Sequence, residues 1–479
     1  MRNWAIAAAL AAATAAACTR NPATGGRQFS LISEAKEIQM GKDYDRQVVA
    51  SIGLAPDSAL QRYLQQFGAQ LAARSERPAL PWSFRVVDDP VVNAFALPGG
   101  FIFVTRGILA HLNSEAELAG VVGHEIGHVT ARHQVSRMST QQLAQIGLVV
   151  GSIASSEFGR FAGAASQALG VLFLKYSRDD ESQADHLGLR YMRRAGYDAR
   201  QMPAVFTMLD RVSSADPGGG RVPEWLATHP NPENRRERIA TEIAALPTDS
   251  LGARVDRNPY LHRLEGLVFG ANPRDGYFKG SRFLHPELRF EITFPAGWQT
   301  SNERQTVGAV APNKDAAVTV VLAEQPSAEL AVQAFLAQQG ITSGNPNRTS
   351  VNNLAATAAA FALTTDAGTI RGTLACVEYR GAVFRLLGYA PEDRWGSYRG
   401  QAERALASFA PLADSAALNV QPMRLRVFTV EHRTTITELA RARPSPVPPA
   451  TLALLNQVEE NTTLEAGTLV KWIVGHALP

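Results

Sequence analysis

The sequence predicts an α+β protein: a mainly helical domain with a small sheet, then a second α+β domain, then a small β-α-α-β module. Three observations predict it. Helical periodicity dominates up to residue 246, strand-like runs rich in β-branched and aromatic residues dominate from 283 to 412, and turn-rich stretches interrupt the chain at 251–276 and 413–423. A chain of 479 residues is too long for one ordinary core, so two or three domains are expected. Hydrophobic content of 45% with 19% charged residues describes a globular chain and excludes a disordered or polytopic one. A formal charge of +3 without a long basic run gives a nucleic-acid partner no electrostatic support.

The elements follow in order. Arg2 and the apolar stretch 4–17 fit a signal peptide over 1–17, because fourteen residues are too few for the roughly 20 of a membrane span. The run Ala15-Ala16-Ala17-Cys18 resembles a bacterial lipobox, although Leu is usual where Ala15 stands. That resemblance implies lipidation of Cys18, and Thr19 in place of Asp implies the outer membrane of a Gram-negative bacterium, with the chain in the periplasm and the lipid as its membrane contact. No second stretch qualifies as a span, since Glu157 and Arg160 interrupt the most apolar candidate at 146–174. The other cysteine, Cys376, reads as a buried strand thiol; a Cys18–Cys376 disulfide is the alternative.

The first domain is expected over 18–250. Helices are predicted at 34–52 and 59–73, the second capped by Asp57 or Ser58, and strands at 84–87 and 101–104. Between the strands, Asn93, Ala94, Phe95, Ala96 and Leu97 read as an exposed edge strand, followed by a turn at Pro98-Gly99-Gly100. Such an edge can accept a peptide through backbone hydrogen bonds; plain core positions for Phe95 and Leu97 are the competing account. Ser114 and Glu117 have capping-box spacing and predict a helix reaching residue 134. Further helix in pieces is expected to 246, with a mobile glycine loop at 218–220. An accessory α+β domain is expected over 277–412, and the terminal module over 424–476.

The chemistry lies in His124-Glu125-Ile126-Gly127-His128. Four residues apart on a helix, the two imidazoles share a face and can converge on one ion, with Glu125 displaced about a third of a turn. Such a site suits one Zn2+ per chain, with a position left for water. Glu125 is then the base that takes the water's proton. The alternative, two surface histidines beside an ordinary Glu, sits badly with the apolar run 118–123 and with Gly120, Gly123 and Gly127, which lower helix propensity unless a close approach needs them. A third ligand is available in the acidic run Asp179, Asp180, Glu181, which pattern alone does not separate. Asp185, four residues beyond Glu181, shares its helix face and can support a ligand imidazole. His111, His133 and His186 read as ordinary, His133 because it falls off the ligand face.

Three elements together resemble the CAAX-prenyl-protease and HtpX type of zinc endopeptidase (metallopeptidase family 48), its periplasmic, BepA-like members in particular. They are the strand and turn 93–100, Glu117-Leu118-x-x-Val121-x-x-His124-Glu125-x-x-His128, and Glu181-x-x-x-Asp185. The resemblance covers 30–245 and implies a zincin-type peptidase domain with Glu181 as third ligand and Asp185 behind a ligand. It also implies an active-site role for His229 in Thr228-His229-Pro230, stabilising an oxyanion or filling the fourth zinc position at rest; a helix-capping turn is the competing account. Arg235 is a candidate supporting cation. Polypeptides are the implied substrates, misfolded or stalled envelope proteins above all. An envelope assembly factor with a latent site, or a peptidoglycan hydrolase, are the rivals. The last of these comes from residues 424–474, where Phe428-Thr429-Val430, Thr435-Ile436, Leu455-Asn456 and Gly467 resemble a LysM module. Arg433-Thr434 replaces the usual Gly-Asp and 444–449 is an insertion, so peptidoglycan binding and a spacer or docking role are both open.

Overall fold

The structure, a computed structural model, describes residues 18–148, 176–215, 229, 235–365 and 368–476. The signal stretch 1–17, the apolar stretch 149–175 and the glycine loop 216–220 lie outside the described residues. Two compact units emerge. The first takes the chain to 271 and takes it up again from 423; the second comprises 272–422.

The first unit begins with a hairpin, β1 (Cys18–Arg20) and β2 (Arg27–Phe29). Helices α1 (Glu34–Ser51) and α2 (Ser58–Ala72) follow, the latter capped by the Asp57 carboxylate on the Ala59 and Leu60 amides. Strands β3 (Ser83–Val87), β4 (Ala94–Leu97) and β5 (Phe101–Thr105) form a sheet in the order β3-β5-β4, β3 parallel and β4 antiparallel to β5. The short helix α3 (Arg106–His111) leads to α4 (Glu115–Thr130), every residue of which is buried. Helix α5 (His133–Leu148) follows, then α6 (Arg178–Arg194), α7 (Met202–Ser214), α8 (Arg235–Ala244) and α9 (Arg257–Arg263).

Helices α4 and α6 approach so closely that only glycine fits between them. A Cβ on Gly123 would lie 3.0 Å from the Gly188 carbonyl oxygen, and one on Gly188 would lie 2.8 Å from the His124 nitrogen. The propensity lost at these positions is what lets the two helices touch where the motifs face each other.

Four expectations are corrected. Helix α4 ends at Thr130, not 134, because Arg132 adopts a left-handed φ of 56° and sends its guanidinium to the Glu37 carboxylate at 2.9 Å and the Ile32 carbonyl at 2.7 Å. Strand β4 is an edge strand but not an exposed one. Asn93, Ala94, Phe95, Ala96 and Leu97 are all buried, β4 packs against α4, and the Gln134 amide donates to the Ala96 carbonyl. Residues 251–271 are not a linker: α9 puts Tyr260 and Leu261 into the same core as α4. Nor are 413–423, since a short helix α12 (Ser415–Leu418) buries Ala417 in the second unit, through Pro422.

The terminal residues are also not a free-standing module. Strands β18 (Arg424–Thr429) and β19 (Leu469–Val474) pair around α13 (Ile436–Ala442) and α14 (Pro449–Leu455), a β-α-α-β order. Leu455, Trp472 and Ile473 nevertheless join the core that holds α4. Lys471, fully buried, donates to the Ala110 and Leu112 carbonyls at 2.6 and 2.8 Å and so caps α3.

In the second unit, β6 (Tyr277–Lys279), β7 (Arg282–His285), β8 (Phe290–Thr293) and β17 (Ala410–Pro411) make one antiparallel sheet. The larger sheet holds β9 (Gln299–Asn302), β10 (Thr306–Val310), β11 (Ala317–Ala323), β12 (Ile341–Ser343) and β13 (Asn347–Val351) beside the long strands β14 (Leu354–Thr365), β15 (Gly368–Tyr379) and β16 (Ala382–Pro391), flanked by α10 (Ala328–Leu336) and α11 (Glu392–Ala407). Cys376 on β15 is buried and free, and burial pushes its thiol up to about 12.

Candidate metal centre

The site is built where α4 crosses α6. His124 and His128 lie one turn apart on α4, with Nε2 atoms 3.0 Å apart. Glu181 comes from the first turn of α6. Its Oε2 lies 3.6 Å from His124 Nε2 and its Oε1 lies 3.5 Å from His128 Nε2. His229 adds Nδ1 at 3.3 Å from His124 Nε2 and 2.9 Å from Glu181 Oε1. These four residues, all buried, are the cluster among the described residues whose donor atoms all lie within 4.8 Å of one another. A tetrahedral zinc with ligands at about 2.1 Å holds its ligand atoms about 3.4 Å apart, so the spacing fits that ion.

Local structure explains why Glu181, of the three acids, faces inward. Asp179 is exposed, and Asp180 is consumed by a capping box in which its Oδ2 accepts from Ser177. Glu181 is the next position and turns to the core. Asp185 lies one turn further on the same face, with Oδ1 2.9 Å from His124 Nδ1. Arg235 from α8, fully buried, brings Nε to Asp185 Oδ2 at 2.8 Å and Nη1 to Glu181 Oε2 at 2.9 Å. Behind His128 stand two residues that the sequence reading passed over. His133 brings its Nδ1 within 2.9 Å of His128 Nδ1, and Tyr176 stacks on the His128 ring at 3.8 Å between centroids. His133 was set aside on helix phase, and the break at Arg132 is what turns it back. Tyr176 had one signal, its place just before the Ser177 cap of the ligand helix. His111 and His186 stand elsewhere: His111 Nδ1 pairs with the Gly107 carbonyl, and exposed His186 pairs with Glu242.

Glu125 faces the cluster from α4. Both of its carboxylate oxygens are buried and find no hydrogen-bond partner among the described residues, and Oε1 lies 3.7 Å from His229 Nε2. Burial pushes its carboxyl above the usual range, against the pull of His229 and His124. Burial acts the same way on Glu181, but there His229 and the His128 hydrogen bond overcome it and hold the group well below. Asp185 is likewise held down, Arg235 outweighing burial. Burial drives His128 well below its ordinary value. A bare carboxylate at raised pKa beside one at depressed pKa separates a proton acceptor from a permanent anion.

Two imidazoles from one helix and a carboxylate from the next form a donor set that could hold a metal ion, with the Glu125 carboxylate beside it. Residues 58–243 match the model of Peptidase family M48. A beta-barrel assembly-enhancing protease of Escherichia coli K12 is 31% identical over 223 residues, 45% of this chain and 45% of its own length. A putative beta-barrel assembly-enhancing protease of Vibrio cholerae is 33% identical over 222 residues, with the same coverage. The mitochondrial metalloendopeptidase OMA1 of Arabidopsis thaliana is 35% identical over 188 residues, 38% of this chain and 36% of that one. The chain thus spans about half the length, or less, of these curated relatives. No described helix is long and apolar enough to cross a membrane.

Proposed function

We propose that the protein is a zinc-dependent endopeptidase that cleaves polypeptides in the bacterial envelope, with His124, His128 and Glu181 as ligands and Glu125 as base. The observation that carries this reading is the convergence of three ligand side chains beside a buried carboxylate that accepts no hydrogen bond among the described residues. Bound zinc lowers the pKa of water and polarises a scissile carbonyl. Glu125, its pKa raised by burial, takes the water proton and returns it to the leaving amine. Asp185 fixes the His124 ring, and Arg235 holds Asp185 and Glu181 in register.

His229 Nδ1 stands at the fourth corner of the ligand set, which supports a resting state in which His229 withholds the water position. Once displaced, the same imidazole can serve the oxyanion. Strand β4, an edge of its sheet, is the proposed substrate strand through Asn93–Leu97, and its burial means that Gln134 must release it first. The names of the bacterial relatives support envelope proteins as substrates, and Cys18 is the proposed lipid anchor at the outer membrane.

The test is cleavage of unfolded casein by zinc-loaded protein. Glu125→Gln should keep zinc and lose about 10²- to 10⁴-fold in rate. His229→Ala frees the water position: faster cleavage than wild type marks the withholding role, and slower metal-dependent cleavage marks the oxyanion role. Metal-independent cleavage, or none in either wild type or His229→Ala, contradicts the reading and leaves an assembly factor with a latent site.

A further inference from the structure

The two α4 histidines are backed differently. His124 Nδ1 meets a carboxylate, Asp185, whereas His128 Nδ1 meets another imidazole, His133 Nδ1, at 2.9 Å. Two Nδ1 atoms in hydrogen-bond contact share a single proton, so one ring donates and the other accepts. On the far side, His133 Nε2 lies 2.8 Å from Gln183 Oε1, an oxygen that only accepts. Asn21 points its amide at the same oxygen, 3.5 Å away, and donates to the Ala131 carbonyl at 3.0 Å. The amide oxygen therefore requires the proton on His133 Nε2. That leaves His133 Nδ1 bare, so His128 Nδ1 must carry hydrogen and His128 Nε2 must present its lone pair. Nε2 is the atom that faces His124 and Glu181.

We propose that Gln183 and His133 form a relay that sets the tautomer and ring orientation of His128 for metal binding, with His133 as a positioning residue and the Asp180 carboxylate, 3.7 Å from His133 Nε2, favouring the same proton position. Each hydrogen bond in the series fixes the next, from an uncharged amide at the periphery to the ligand nitrogen at the centre. Tyr176, stacked on His128, holds the same ring plane from its face. The inference rests on the metal reading above and concerns residues that do not touch the ion.

The test uses the full-length protein and zinc alone, with dissociation constants from chelator competition and tautomers from nitrogen NMR of the histidine rings. His133→Ala should weaken zinc about 10- to 100-fold, and Gln183→Leu should weaken it less but measurably. His133→Asn, whose Oδ1 falls where Nδ1 stood, should recover most of the loss. His186→Ala, exposed on the same helix as Gln183, is the control. In zinc-loaded wild type, His133 should show a protonated Nε2 and a bare Nδ1. A bare Nε2 on His133, or unchanged zinc affinity in both His133→Ala and Gln183→Leu, overturns the relay while wild type still binds zinc. Wild type that binds no zinc overturns the metal reading itself. Should His133→Ala fail to fold, Gln183→Leu and the wild-type tautomer decide the matter.

Discussion

The two flanks of the metal centre differ in kind. Behind His124 the partners are ionic and fully buried: Asp185 and Arg235, the latter also reaching Glu181. Behind His128 the hydrogen-bond partners are neutral, His133 and Gln183 with the Tyr176 ring, and the one nearby charge is Asp180, whose Oδ1 lies 3.7 Å from His133 Nε2. Buried charges brought together in this way cost desolvation and hold only while each has its partner, whereas a neutral relay costs less to build and less to break. The charged flank should therefore dominate stability, and the neutral flank should act chiefly on ligand geometry.

The largest expected effect breaks the charged side. Asp185→Asn leaves Arg235 short of one carboxylate in a dry site, and the metal-free protein should lose about 3–5 kcal/mol in urea unfolding. His133→Ala should lose less, about 1–3 kcal/mol, the cost of one unsatisfied buried donor. Equal losses would erase the distinction between the flanks.

The smallest effect is in pH dependence: both flanks lose stability as pH falls, but in different windows. Burial depresses His128 and His133 below 6.5, so as pH falls through that value the unfolded chain takes up protons that the folded one refuses. Stability on that flank is lost below pH 6.5. Asp185, held below 3.8 chiefly by Arg235 against burial, contributes above that value and is lost only as pH falls further. In the metal-free protein the stability gap between wild type and His133→Asn should narrow from about pH 7.5 to about 5.5. The gap between wild type and Asp185→Asn should stay flat over that interval and narrow only below about pH 4. A gap to Asp185→Asn that narrows in the higher interval would contradict the assignment.

The same division marks what was legible in the sequence. His124, Glu125 and His128 are offered by helical spacing alone, because a helix fixes which residues share a face, whereas Asp185 is placed only relative to Glu181. Glu181 needed family resemblance, and the structure separates it from Asp180 by the Ser177 capping box, a local feature that spacing alone did not resolve. The neutral flank was not legible. His133 lies five positions beyond His128, and only the left-handed Arg132, pulled toward Glu37, turns it back. Helices α1 and α2 and strands β3 and β5 lie within a residue of the expected bounds, whereas the short strands β6 (Tyr277–Lys279) and β7 (Arg282–His285) carry too few residues to show a period. The supposed linker at 251–276 misled because its turn residues are interspersed with Tyr260 and Leu261, whose burial depends on a core assembled from distant segments.

The central claim is that Glu181 joins His124 and His128 around one ion. Zinc content of purified wild-type and Glu181→Ala protein, measured after equilibration with a weak chelator, tests it directly. The account predicts one zinc per chain in the first and almost none in the second, with metal-dependent casein cleavage lost alongside. Full zinc occupancy and cleavage in Glu181→Ala would contradict it.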